Sequence, residues 1–382
     1  MVNASAFDNV LVLDDEHRQV FQTALTRVLA ADLAESTYAE ILDGLPTQTA
    51  WLETNHREPD DHPVFTLKHD SLSPRVLEKI RNFRQTFDPV QLTFSSTVIS
   101  PISYISARSA ANTFTQVLKD FLQATQGTKQ FELRLIELLA VACHQIAVYL
   151  WNLDDGPHKH QEYEEWRDSA QDRPLSDPSN WYRPYIAPVP FYHRRYVDFD
   201  QYPNGIADIV GYWAEARIFG GVVVFNRGDS GTECKELYLH GHGRIGPKTL
   251  YPPTNQQYDA LIHFLLADQA SEAPTPCPIP ILATDQNRWR YSAEDAMIKF
   301  NIFRDWYERK PPAPNPNEGD RTYCVRHTAV DWPELGDEQI VMNSYHQRAQ
   351  GEAVDSAEVE AAIGRLRTTI TPSSPLWHRW GQ

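Results

Sequence analysis

The residues whose types and spacing could do chemistry begin in the apolar stretch 130–152. Leu133, Ile136, Ala140, Cys143, Ala147 and Leu150 fall on one helical face, and Arg134, Glu137, Val141 and His144 recur at three- and four-residue spacing on an adjoining one. A glutamate and a histidine two turns apart inside an apolar helix are candidates for acid and base, because desolvation would shift both pKa values. The structural counterpart is an Arg134–Glu137 ion pair beside a histidine bonded to a loop carbonyl, since buried polar groups are usually satisfied in some such way.

The block Tyr202-Pro-Asn-Gly-Ile-Ala-Asp-Ile-Val-Gly-Tyr-Trp-Ala-Glu-Ala-Arg217 is a second candidate. A helix would place Asp208, Tyr212 and Glu215 on one face, whereas an extended chain would group Trp213, Glu215 and Arg217. Either way carboxylates and aromatics, with Tyr202 at the entry, project from an apolar segment as a pocket for a cationic or amphipathic ligand requires. A Glu215–Arg217 pair bracing a hairpin explains the same residues without a ligand. Ser95 and Ser96 close a β-rich stretch at 90–97 ahead of a loop and a helix. That position is open to a nucleophile and also to ordinary turn chemistry.

His158-Lys-His160 and His240-Gly-His242 have the i, i+2 spacing that suits a metal on a strand, and Glu162, Glu164 and Glu165 follow the first pair. Spacing specifies no third ligand, so no metal is expected. Cys143, Cys234, Cys277 and Cys324 include no CxxC pair. Phe219-Gly-Gly-Val lacks the dinucleotide pattern and no GxxxxGK[ST] occurs, which disfavours kinases, P-loop NTPases and Rossmann dehydrogenases, and no cofactor is expected.

The elements that must position these residues are mainly helical. Amphipathic spacing predicts helices over 14–31, about 37–52 and after Ser73-Pro74, then near 103–125 and 130–152, with a short strand at 90–97. Residues 170–204 carry six prolines, from Pro174 to Pro203, among many Tyr and Trp, and the segment 154–204 is expected to be ordered but irregular. The strongest β signal, Ile218-Phe-Gly-Gly-Val-Val-Val-Phe225, is followed by a turn-rich run and Glu236-Leu-Tyr-Leu-His240, a β-hairpin at about 218–240. Helical spacing resumes at 256–266, again over 292–310, and twice more within 337–369. The expected fold class is α+β, a helical majority with a small, mostly antiparallel sheet. Its expected organisation is a main domain over 1–270 and a helical region over 271–382, joined by the stiff Pro-rich runs 274–280 and 311–316.

Composition bounds the partners. The 382 residues carry 51 Asp+Glu against 35 Lys+Arg, a formal charge of −16, with 41% apolar and 11% aromatic residues. A chain of this kind folds around a core, and its acidity argues against DNA and anionic membranes as partners. The apolar run 133–153 contains Arg134, Glu137, His144 and Gln145, so it is expected as a buried helix and not a membrane span. With no basic-then-apolar leader at the start and no cysteine framework, a cytoplasmic location is expected.

The block from Tyr202 through Gly211-Tyr-Trp-Ala-Glu-Ala-Arg-Ile-Phe-Gly-Gly-Val-Val-Val-Phe-Asn-Arg227, with Leu237-Tyr-Leu-His240 and the helix Glu132-Leu-Arg-Leu-Ile-Glu137 to His144-Gln145, resembles the arginine-containing cyclodipeptide synthases of fungal natural-product clusters. The resemblance implies an enzyme that takes aminoacyl groups from charged tRNA and joins arginine to a second amino acid as a diketopiperazine. A guanidinium substrate wants carboxylates and aromatic faces, which Asp208, Glu215, Tyr212 and Trp213 offer. The tRNA-facing patch would then be Arg183 with Arg194 and Arg195. A ping-pong scheme would load Ser95 or Ser96, with Glu137 or His144 moving the amine proton. Two other readings stand beside it: a cofactor-independent isomerase, cyclase or dehydratase acting on a free small molecule, and a non-catalytic binding protein.

Overall fold

The computed structural model describes residues 12–55, 61–89, 116–171, 185–242, 246–267, 276–306, 308–310 and 328–381. In chain order its elements are α1 (Asp15–Ala30), α2 (Asp32–Asp43), α3 (Gln48–Thr54), α4 (Pro63–Thr66), α5 (Pro74–Thr86), α6 (Lys129–Leu153), α7 (His160–Gln171), α8 (Ile206–Phe219), β1 (Val222–Asn226), β2 (Leu237–His240), β3 (Leu250–Tyr251), α9 (Asn255–Leu266), α10 (Ala293–Phe300), β4 (Ile302–Phe303), α11 (Glu334–Ala349), α12 (Ser356–Thr369) and α13 (Trp377–Trp380). The fold is α+β, a helical majority with one four-stranded antiparallel sheet in the order β3-β2-β1-β4. The hairpin pairs Val222 with His240 and Phe225 with Leu237, and Phe225 pairs with Phe303 on the other side.

Local chemistry sets the boundaries. Thr128 accepts from Phe131 N and starts α6, and Ser73 accepts from Val76 N ahead of Pro74 at the start of α5. The single helix expected over 37–52 is two: α2 stops at Gly44, whose φ of +104° is left-handed, and Thr47 caps α3 afresh. The helix expected over 292–310 ends at Phe300, where Asn301 turns at φ +51° into β4. Residues 160–171 are helical and not irregular, because the proline run starts only at Pro174. The hairpin begins at Val222, since Ile218 and Phe219 finish α8. The strand expected at 90–97 and the first part of the helix at 103–125 lie outside the described residues.

Helix α6 is the axis of the core, packed against α8, α2 and α1. Among the described residues it is the one helix long and apolar enough to cross a membrane, and 89% of that apolar stretch is buried inside the protein. Each Leu or Ile it buries is worth about 1.5–3 kcal/mol, which fixes the helix and so the height of every side chain on it. The same core takes in Ile279, Ile281, Ala293, Ala296 and Ile302, beyond residue 270. A separate small cluster of Val341, Ala362, Leu366 and Leu376 holds α11 and α12 together.

Candidate active site

Helix α8 is buried almost all round, entered through Gly205 at φ +59° and left through Gly220 at φ +93°. At its middle, Gly211 lets α6 come close. A Cβ there would lie 2.4 Å from His144 Nε2 and 2.6 Å from His144 Cε1, so the imidazole of α6 rests directly on the backbone of α8. At the next residue, the ring meets Tyr212 edge-on at 4.6 Å.

This contact places His144 between two carboxylates. Nε2 lies 3.0 Å from Asp208 Oδ1, and Nδ1 faces Glu215 Oε2 at 3.7 Å, beyond hydrogen-bond distance. Asp208 also accepts from Asn204 N at 2.7 Å and Asn204 Nδ2 at 2.9 Å. Glu215 Oε1 accepts from Val223 N and from Arg304 Nη1, each at 2.6 Å. Burial alone would push the His144 pKa down, but Asp208 and Glu215 outweigh it and the ring holds its proton more tightly than usual. The result is a buried imidazole–carboxylate set with Arg304 offsetting part of its negative charge.

His144 and Asp208 line a small cleft of about 40 Å³ that is partly open to solvent. Val117, Val141 and Pro203 form its apolar wall, Tyr212 its aromatic face, and Gln145, Arg304 and Asp305 complete the polar side. No protein-family model, no curated protein and no solved structure matches the chain. Chemically, the arrangement offers a carboxylate, Asp208, backed by an imidazole that holds its proton more tightly than usual, beside a small cleft that opens to solvent.

The structure gathers some of the expected residues and separates others. Asp208, Tyr212 and His144 share the cleft, and Glu215 stands one turn behind it. Glu137 is fully buried with both oxygens engaged, Oε2 by Arg134 at 2.7 Å and Oε1 by Arg227 at 2.5 Å. Burial would raise its pKa, yet the two guanidinium groups prevail and it is lowered. The helical alternative for 202–217 is the observed one, so Trp213 packs inward on Phe191 at 4.7 Å. Glu215 and Arg217 do not pair: Arg217 reaches Glu40 at 2.5 Å and covers the Trp213 ring at 5.0 Å. Tyr202 donates to Glu308 O at 2.6 Å, and its ring lies tilted against Tyr212 with centroids 5.4 Å apart. Arg194 and Arg195 are exposed, Arg195 at 2.5 Å from Glu294. Ser95, Ser96 and Arg183 lie outside the described residues.

Sequence reasoning missed Asn204, Gly211 and Arg304. Asn204 sits four residues before Asp208, a spacing that could have signalled a local cap. Arg304 comes to Glu215 from 89 residues away, and no spacing could have announced it.

Proposed function

We propose that the chain is an acid–base enzyme of small-molecule metabolism and, within that class, an acyl transferase that joins arginine and a second amino acid from aminoacyl-tRNAs into a diketopiperazine. The observation that carries the reading is the Asp208–His144–Glu215 set at the base of the cleft. Ring closure needs an amine to attack an aminoacyl ester carbonyl, forming the amide while the carrier oxygen leaves with a proton. In this reading Asp208 takes the amine proton, and His144, hydrogen-bonded to it at 3.0 Å, orients the carboxylate. Asp208 and Asp305 give the cleft carboxylates that a guanidinium prefers, while Arg304, which also lines it and lies 5.5 Å over the Tyr212 ring, opposes a second cation. The sequence resemblance contributes the identity of the arginyl substrate.

A second reading, acid–base chemistry on a free small molecule without tRNA, draws support from the surface. Arg195 is held by Glu294, and the formal charge of −16 opposes docking of a polyanion. One experiment separates the two: expression in a host that makes no such products, followed by mass spectrometry for arginine-containing diketopiperazines. The wild-type chain is expected to give them, Asp208→Asn to lower them about 10²–10⁴-fold, and the Arg194→Glu/Arg195→Glu pair to abolish them. Product unchanged in the arginine reversals removes the tRNA-facing role, and no product from the wild type removes the transferase reading.

A further inference from the structure

Away from the cleft, Asp43, His69 and His158 converge from places far apart in the sequence. Asp43 is the last residue of α2, His69 lies between α4 and α5, and His158 sits in the turn between α6 and α7. Asp43 Oδ1 is 2.5 Å from His158 Nδ1 and 3.2 Å from His69 Nε2, and the three donor atoms lie within 4.8 Å of one another. Asp43 and His69 are buried, and His158 is half-buried, which leaves that side facing solvent.

The backbone is built to bring these groups together. A Cβ on Gly44 would lie 2.0 Å from His158 O, and one on Gly156 would lie 2.0 Å from Leu42 O and 2.4 Å from Asp43 O. His158 N donates to Asp43 O at 3.0 Å, so the two segments are clamped edge to edge. The hydrogen bond on the far side of His69 is equally informative. Its Nδ1 lies 2.9 Å from Pro46 O, and a carbonyl can only accept, so the hydrogen is on Nδ1. In a neutral ring, Nε2 then presents a lone pair toward the lone pairs of Asp43. Two acceptors so close repel unless a cation lies between them, either a proton on His69 or a metal ion. An imidazole whose outer nitrogen donates to a backbone carbonyl while the inner one faces a shared centre is the arrangement of a metal ligand.

We propose that Asp43 Oδ1, His69 Nε2 and His158 Nδ1 bind one divalent transition-metal ion of the zinc class, with a fourth position toward solvent. Two imidazoles and a carboxylate suit that ion, and ligand distances of about 2.0–2.2 Å put tetrahedral donor atoms roughly 3.3–3.5 Å apart. The Asp43–His69 separation of 3.2 Å is close to this, whereas the 2.5 Å Asp43–His158 contact is a hydrogen bond that has to open by about 1 Å as the ion enters. The ion would tie the end of α2, the loop before α5 and the turn before α7. The sequence motif His158-Lys-His160 thus splits: His160 stacks on Trp151 at 3.4 Å and takes no part.

The test uses the full chain, stripped with a chelator and titrated with Co²⁺ alone, then with Zn²⁺ as competitor. One Co²⁺ per chain is expected, with visible d–d absorption displaced by Zn²⁺ and a Zn²⁺-dependent rise in melting temperature. His69→Gln and His158→Gln are each expected to weaken binding by at least about 100-fold, at the upper end of what loss of a supporting ligand contact costs; His160→Gln is expected to leave it unchanged. Should His69→Gln fail to fold, the half-buried His158→Gln decides. Wild-type Co²⁺ binding no tighter than in His158→Gln, or a melting temperature that Zn²⁺ does not move, overturns the proposal and leaves a protonated His69 as the cation.

Discussion

Glu137 and His144 stand two turns apart on the same helix, equally buried, and their surroundings differ in one respect. Every oxygen of Glu137 is held by a guanidinium, Arg134 on one and Arg227 on the other. Arg227 spends its remaining hydrogens on Phe303 O and Arg304 O, so this cluster knits α6 and β1 to β4 and has nothing left to offer a substrate. His144 instead has Asp208 on one nitrogen and a carboxylate 3.7 Å from the other, beside a cleft. Saturated valence marks the first set as a structural tie, and unpartnered His144 Nδ1 and Glu215 Oε2 near the cleft make the second the proposed site of chemistry. Arg304 joins the two: its carbonyl closes the structural set and its guanidinium reaches Glu215.

The comparison breaks if stability and activity do not part along this line. The largest expected effect is on folding. Glu137→Gln leaves two buried guanidinium groups facing a neutral amide, and removing one partner of a buried pair costs about 3–5 kcal/mol. Urea unfolding should show that loss, with any activity lost only in proportion to unfolded protein. A stable, inactive Glu137→Gln would move Glu137 into the catalytic set.

Next in size is Gly211→Ala. The added methyl would fall on the His144 ring, which must shift away from Asp208. Displacement of about 1 Å at a reacting group costs on the order of 10²-fold in rate, while overpacking costs about 1–3 kcal/mol against the roughly 1 kcal/mol that Ala gains over Gly in a helix. Turnover measured on folded protein should therefore fall much more than the unfolding midpoint. Full activity in this variant would mean that His144 packs rather than works.

The smallest effect is a pH signature that separates the two sets by sign. His144 binds its proton more tightly in the folded state, so its contribution is complete below the ordinary imidazole value of 6.5 and fades as pH rises through the raised folded value. Glu137 binds its proton less tightly when folded, so its contribution is complete above the ordinary 4.5 and fades as pH falls through the lowered one. In unfolding midpoints measured from acid to alkaline pH, His144→Gln should flatten the alkaline limb and Glu137→Gln the acid limb. Both variants flattening the same limb would refute the assignment of opposite shifts.

Sequence alone was enough for the helix at 130–152 and for the β-hairpin, because a long apolar run with a threonine cap and a β-branched run before a turn each dictate local structure from neighbouring residues. It left 202–217 undecided for a physical reason. A segment buried on all sides has no polar face, so periodicity cannot tell helix from strand. Only packing against α6 and β1 made it helical, and with that choice Asp208, Tyr212 and Glu215 fell on the His144 side while Trp213 turned inward. Ion-pair partners followed the same rule: the expected Arg134–Glu137 pair is local, three residues apart, and exists, whereas Arg217 chose Glu40 and Glu215 chose Arg304 across long stretches of chain. Likewise the His-x-His spacing named one histidine of the Asp43–His69–His158 cluster and the wrong neighbour for it. Residue type and short-range spacing thus determined the fold class, the core helix and the candidate groups. Which groups meet, and which keep a free valence, was decided by contacts between residues that only the tertiary fold brings within reach.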